Sequence, residues 1–225
     1  MQPNLIVMLT HNDRTLKNAK NIFNECSDLP IACWGFKNVG LSENEMCALL
    51  DEMKKADKKT FLEVVTYSET ECLESAQFAC EHGFDYLLGT LFYPSVWEYL
   101  KNKQIQYYPF VGNVSGSPSV LTGTIDEMVQ QVNELQDVSV PGIDLLAYRY
   151  DGDEPKQLVK SIVSNSKLNT IVAGSIDSVD RIRTIKKLQP WGFTIGSALV
   201  NQNFVNNAGF RKNLEKVIQI LNDQI

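Results

Sequence analysis

The sequence predicts a single (β/α)8 barrel, and three observations carry that expectation. Short apolar runs alternate with amphipathic segments at intervals of roughly 25 to 30 residues, the pattern of repeated βα units. Eight such units fit into the 225 residues, and one barrel of this kind uses a chain of about that length. The apolar runs are continuous instead of strictly alternating, as parallel strands covered on both faces require.

Strands are expected at residues 5–10, 31–36, 60–66, 86–90, 107–111, 144–149, 170–173 and 192–195. Between them lie helical periods: Met46, Leu49, Leu50 and Met53, then Ile125, Met128, Val129 and Val132, and last Phe210, Leu214, Val217, Ile218 and Leu221. Each gives one apolar face to lay on a barrel wall. Four pairs have the spacing of capping boxes, in which a hydroxyl and a carboxylate satisfy the free N–H groups of a first helical turn: Ser42 with Glu45, Ser68 with Glu71, Ser95 with Glu98, and Thr124 with Glu127. They mark where loops after strands become helices. No linker or charge block divides the chain, so one domain over 1–225 is expected. An open doubly wound sheet uses the same units but usually stops at five to seven strands.

A net charge of -6 offers no general attraction to nucleic acid or anionic membrane, and neither is an expected partner. Any anionic ligand then needs a locally built pocket. Five cysteines, Cys26, Cys33, Cys47, Cys72 and Cys80, are odd in number and lack metal-type spacing, which reads as reduced structural thiols. The N-terminal apolar run is too short for a signal segment, and no apolar stretch approaches the roughly 20 residues of a membrane span. A cytoplasmic protein is expected, with no metal and no cofactor; a homo-oligomer stays open.

The strongest motif is a pair of Gly-Ser dipeptides, Gly174 with Ser175 after the seventh strand and Gly196 with Ser197 after the eighth. Glycine lets backbone approach an anion closely, and the N–H groups and hydroxyl that follow supply donors. The loops after these two strands are a frequent phosphate site of the barrel fold. Here the chain resembles the ribulose-phosphate-binding barrels, a group that includes indole-glycerol-phosphate synthase, phosphosugar epimerases and related aldolases. The resemblance implies a phosphorylated small-molecule ligand held by Gly174, Ser175, Gly196 and Ser197. It stops short of the catalytic sets. Asp13 comes too late in its loop for the paired aspartates of the sugar isomerases, and arginine stands on strand six where an aldolase would carry its lysine.

Three residues at strand ends are candidates for the chemistry. Glu63 lies within an apolar strand, where a carboxylate needs a partner and can serve as an acid or base of raised pKa. Lys37, at the end of strand two, is the natural partner and could itself act as a Schiff-base nucleophile or an electrophile. His11 follows strand one, at the correct end for acid–base work. Arg149 is expected at the rim of strand six, orienting a substrate, while Asp144, five residues before it, reads as structural and faces the other way. Asn113 and Ser115, in the Gly/Ser-rich stretch after strand five, are expected as polar contacts from a lid, and Gly89 and Thr90 as pocket floor. His82 reads as a helix C-cap before Gly83.

Two functions remain. One is a metal-independent isomerase, epimerase or lyase acting on a small phosphorylated sugar-like metabolite, using Glu63 and Lys37. The other is a non-catalytic barrel that senses a phosphometabolite, resembling the glycerol-uptake antiterminator regulators.

Overall fold

Eight parallel strands wrap around one axis: β1 (Asn4–Met8), β2 (Cys33–Lys37), β3 (Lys59–Val64), β4 (Tyr86–Gly89), β5 (Gln106–Tyr108), β6 (Gly142–Leu145), β7 (Asn169–Val172) and β8 (Gly192–Ile195). The computed structural model describes residues 2–152 and 154–223; of the domain expected over 1–225, residues 1, 153, 224 and 225 lie outside the described residues. Neighbours in the sheet follow chain order, and β8 pairs with β1 through Leu5 opposite Phe193 and Val7 opposite Ile195. The remaining seam, β5 to β6, is made by a single parallel bridge between Phe110 and Asp144, with the Asp144 N–H donating to the Pro109 carbonyl at 2.9 Å. The sheet is thus a barrel, closed but thinnest at that seam. An open doubly wound sheet would keep two free edges.

Helices α1 (Ala19–Cys26), α2 (Glu43–Lys55), α3 (Glu69–Glu81), α4 (Pro94–Leu100), α5 (Ile125–Asp137), α6 (Pro155–Asn165), α7 (Val179–Leu188), the one-turn α8 (Ser197–Val200) and α9 (Gly209–Asn222) surround it. Three of the four capping boxes form as expected, at Ser42, Ser68 and Thr124. The fourth does not. Pro94 supplies the fixed φ of a first helical position, so α4 begins one residue before Ser95, and the Ser95 hydroxyl bonds Glu69. His82 does cap α3: its N–H and ring Nδ1 both reach the Phe78 carbonyl, at 3.0 Å each.

Two layers of apolar side chains result. Between strands and helices lie residues such as Val7, Trp34, Leu49, Leu62, Leu87, Met128, Ile143 and Leu214. Inside the barrel, Ile6, Met8, Cys33, Phe61, Leu88, Tyr108 and Ile171 form a second apolar cluster, whose upper members Met8 and Leu88 reach the level of the charged groups. Tyr86, Tyr108 and Trp191 close the bottom, with ring centroids 5.6 to 5.8 Å apart. The upper half is filled by charge.

Candidate active site

Alternation along each strand decides which side chains enter the barrel, because successive residues point to opposite faces. On β2 the inward set Cys33, Gly35 ends at Lys37, and on β3 Phe61 is followed by Glu63; register places Lys37 directly beside Glu63. Both are buried, and the Lys37 Nζ lies 3.1 Å from Glu63 Oε1. No partner of Glu63 Oε2 is found among the described residues, and Glu63 lines a cavity at the carboxyl ends of the strands.

The third member is Asp13, and it gets there by a tight hairpin. Thr10 and His11 pair antiparallel with Arg14 and Thr15, so Asn12 and Asp13 form a two-residue turn with φ of 47° and 59°. Asn and Asp tolerate this left-handed conformation better than other non-glycine residues, and it is what a type I′ hairpin turn demands. The turn folds Asp13 back over the barrel. Its Oδ1 accepts from Lys37 Nζ at 2.8 Å, and its Oδ2 accepts from Arg149 NH1 at 2.5 Å and from the Ser119 N–H at 2.6 Å. The Thr15 hydroxyl anchors the arrangement by bonding both main-chain groups of Lys37.

These contacts fix the charge states. Burial alone would raise the Asp13 carboxyl, but the Arg149 hydrogen bond and the charges of Lys37 and Arg149 outweigh it and hold Asp13 well below the usual carboxylate range. Burial alone would lower the Lys37 amine, yet Glu63 and Asp13 push it above its ordinary value. Lys37 is therefore an ammonium ion at neutral pH.

The expectation that Arg149 and Asp144 face opposite sides does not hold. The sixth strand ends at Leu145 and the chain turns into a one-turn 3-10 helix, Ala147–Arg149, so the five-residue spacing does not put the two side chains on opposite faces. Both enter the barrel. Arg149 lines the cavity, whereas Asp144, placed by alternation with Gly142 on the inner face, lies beneath it with no solvent exposure. Neither Asp144 oxygen has a hydrogen-bond partner among the described residues; the Gly89 N–H exerts a weak pull on it without reaching bonding geometry.

Across the cavity from Lys37 and Glu63 lie Gly174, Ser175, Gly196 and Ser197, so one space of about 290 Å³ is lined by both the acid–base groups and both Gly-Ser pairs. Gly174 has φ +100° and packs against Arg149, and a Cβ on Gly196 would lie 2.6 Å from Thr10 Oγ1. The N–H groups of Ser197 and Ala198 open the single turn of α8, where no intrahelical acceptor exists for them. Asp177 also lines this end, and its charge is offset by Arg181, whose NH1 lies 2.9 Å away. Among the described residues, no group of three or more His, Cys, Asp and Glu is disposed to hold a metal ion.

The other sequence candidates sit elsewhere. His11 is outside the cavity lining, with its Nε2 3.0 Å from Asn201 Oδ1, and Asn201 is the residue that reaches the cavity. Asn113 and Ser115 are exposed on an antiparallel hairpin with Val120–Thr122, away from the cavity. Pro118 and Ser119 of that stretch reach the site instead, tied down by a 2.6 Å hydrogen bond between Ser119 Oγ and the Tyr67 hydroxyl. Thr90 is turned to the Tyr107 hydroxyl at 2.5 Å and is absent from the cavity lining.

Comparison of the sequence with family models finds no match, and comparison with curated proteins finds none either. Solved structures do match over almost the whole chain. Orotidine 5'-phosphate decarboxylase from Pyrococcus horikoshii OT3 superposes with a TM-score of 0.70 at 10% identity, over 98% of this chain and 100% of that one. A chain of the tryptophan synthase complex from Pyrococcus furiosus gives 0.70 at 13% identity, over 99% and 100%. The glycerol uptake operon antiterminator regulatory protein from Listeria monocytogenes gives 0.60 at 15% identity, over 86% and 91%. At such identities the likeness establishes the barrel fold, and the site must be read from its own residues.

Proposed function

We propose that this protein is a metal-independent enzyme that transfers a proton on a small phosphorylated, sugar-like metabolite, as an isomerase, epimerase or lyase. The observation that carries the reading is a single cavity with two unlike ends. At one, glycine-flanked N–H groups and two serine hydroxyls suit a phosphate. At the other, a carboxylate whose second oxygen has no partner among the described residues stands 3.1 Å from a buried ammonium.

That second end divides the chemistry. A Schiff-base lysine must lose its proton to attack a carbonyl, and Lys37, held between Asp13 and Glu63, keeps it. Its charge suits the stabilisation of negative charge developing on a substrate carbonyl oxygen. Glu63 then takes a proton from the adjacent carbon, its electron pair passing to that oxygen, and returns the proton in the following step. Arg149, with its NH1 on Asp13, keeps further guanidinium donors for the substrate. The cavity volume lies at the low end of the range for small-molecule sites, which suits a metabolite of a few carbons.

A non-catalytic sensor is favoured by one observation: Asp13 joins the first, second and sixth strand-end loops to Ser119 in the loop after β5, so a ligand that displaced it would move that loop. Deuterium exchange separates the two. In D₂O, the enzyme reading expects carbon-bound hydrogen of a phosphorylated ketose or aldose to exchange, with Glu63→Gln slowing exchange by about 10²- to 10⁴-fold. Binding of such compounds without any exchange or turnover across the series would favour the sensor.

A further inference from the structure

Two cations and three carboxyl groups share the upper half of the barrel: Lys37 and Arg149 with Asp13, Glu63 and Asp144. With every carboxyl ionised the set carries a net negative charge where water is largely excluded. One added proton makes it neutral, which lowers the cost of burying the group. The pairing says where that proton resides. Asp13 lies between both cations and Glu63 is paired with Lys37, whereas Asp144, 0% exposed, has no partner for either oxygen among the described residues.

We propose that Asp144 is a neutral carboxylic acid beneath the cavity, holding the one proton that makes the buried cluster neutral. Asp144 lies outside the cavity lining, so it does not touch a bound ligand.

The surroundings of Asp144 leave few other groups to share the proton. Its register neighbours are Phe110 after β5 and Ile171 on β7, both apolar. The inward residues of β1 and β8 nearest this level, Met8 and Thr194, do not titrate, and on β4 the inward residue is Leu88. The phenols of Tyr86 on β4 and Tyr108 on β5 are both raised by burial, Tyr108 to about 12, and stay neutral. Lys37 on β2 and Glu63 on β3 are the charges that act on Asp144. Burial first and the Glu63 charge second push its carboxyl well above the ordinary range, and Lys37 pulls the other way.

Infrared spectroscopy of the full chain reads the proton directly. At pH 7 the wild type should show the carbonyl band of a protonated carboxyl group, lost in Asp144→Asn and retained in Glu63→Gln. On raising the pH, the band should disappear at lower pH in Glu63→Gln than in wild type, because the neighbouring negative charge is gone. No band in the wild type at pH 7, a band that survives in Asp144→Asn, or a midpoint unmoved by Glu63→Gln would each overturn the proposal. If Asp144→Asn does not fold, ¹³C-labelled aspartate carboxyls give the same readings in wild type and Glu63→Gln alone. None of these readings needs turnover, so an error in assigning Glu63 as the base would show separately, as undiminished deuterium exchange in Glu63→Gln.

Discussion

Asp13 and Arg149, 136 residues apart in the chain, meet through a 2.5 Å hydrogen bond between Oδ2 and NH1 that joins the turn after β1 to the 3-10 turn after β6. Both residues line the cavity. Because the same carboxylate also accepts from Lys37, Asp13 compensates two buried cations at once.

Asp13→Ala should therefore cost about 3–5 kcal/mol, the usual penalty for leaving a buried charge without its partner. The folded value of Asp13 lies below its unfolded one, so its stabilisation is complete above about pH 4 and is lost as the pH falls further. Urea unfolding between pH 2 and 7 should show an acid-side slope in the wild type that is shallower in Asp13→Ala.

Asp144 has the opposite sign. Its folded value is raised, so this residue favours the fold below the unfolded value near 4, and that advantage declines as the pH rises toward the folded value, by about 1.4 kcal/mol per pH unit. Asp144→Asn removes that slope, and the variant should be more stable than wild type at pH 7. Equal slopes for the two proteins over pH 5–7 would mean that Asp144 is ionised in the fold.

Lys37→Met should destabilise the protein by about 3–5 kcal/mol, because it leaves Asp13 and Glu63 buried with one cation fewer. The amine is raised in the fold, so its contribution is full below about pH 10 and lost above it. Borohydride added with a carbonyl phosphate should trap no adduct on Lys37; a trapped adduct, found by mass spectrometry, would restore the Schiff-base alternative.

Gly196→Ala tests the other end. The added methyl would lie 2.6 Å from Thr10 Oγ1 and 3.0 Å from the Met8 carbonyl, so the loop after β8 must shift. A stability loss of about 1–3 kcal/mol is expected from overpacking, with anion affinity, measured by calorimetry with inorganic phosphate, reduced at least tenfold.

The barrel was legible in the sequence because parallel strands buried on both faces are continuous apolar runs, and seven of the eight runs end within two or three residues of the observed strands. The exception is instructive. Residues 144–149 read as strand, yet the strand is Gly142–Leu145 and the rest is a 3-10 turn. Drawing 146–149 as strand put Asp144 and Arg149 on opposite faces and set Asp144 aside as structural, though Gly142 and Asp144 share the inner face. Lys37 and Glu63 were legible as charges inside apolar strands. Asp13 was not, since its role depends on a hairpin turn; the signal available was Asn12 and Asp13 between short strand-forming residues. Ser119 enters through the tertiary placement of a loop, which no local pattern encodes.

The most direct test of the central claim is a thermal-shift comparison of phosphorylated sugars with their unphosphorylated counterparts, in wild type and in Ser175→Glu and Ser197→Glu. A ligand at a hundredfold excess over Kd stabilises by about 2.7 kcal/mol, and about 2–4 °C per kcal/mol is expected for a chain of this size. The account predicts a rise of several degrees with phosphorylated compounds alone, abolished in both variants. Equal shifts from phosphorylated and unphosphorylated sugars, or shifts that survive both substitutions, would contradict it.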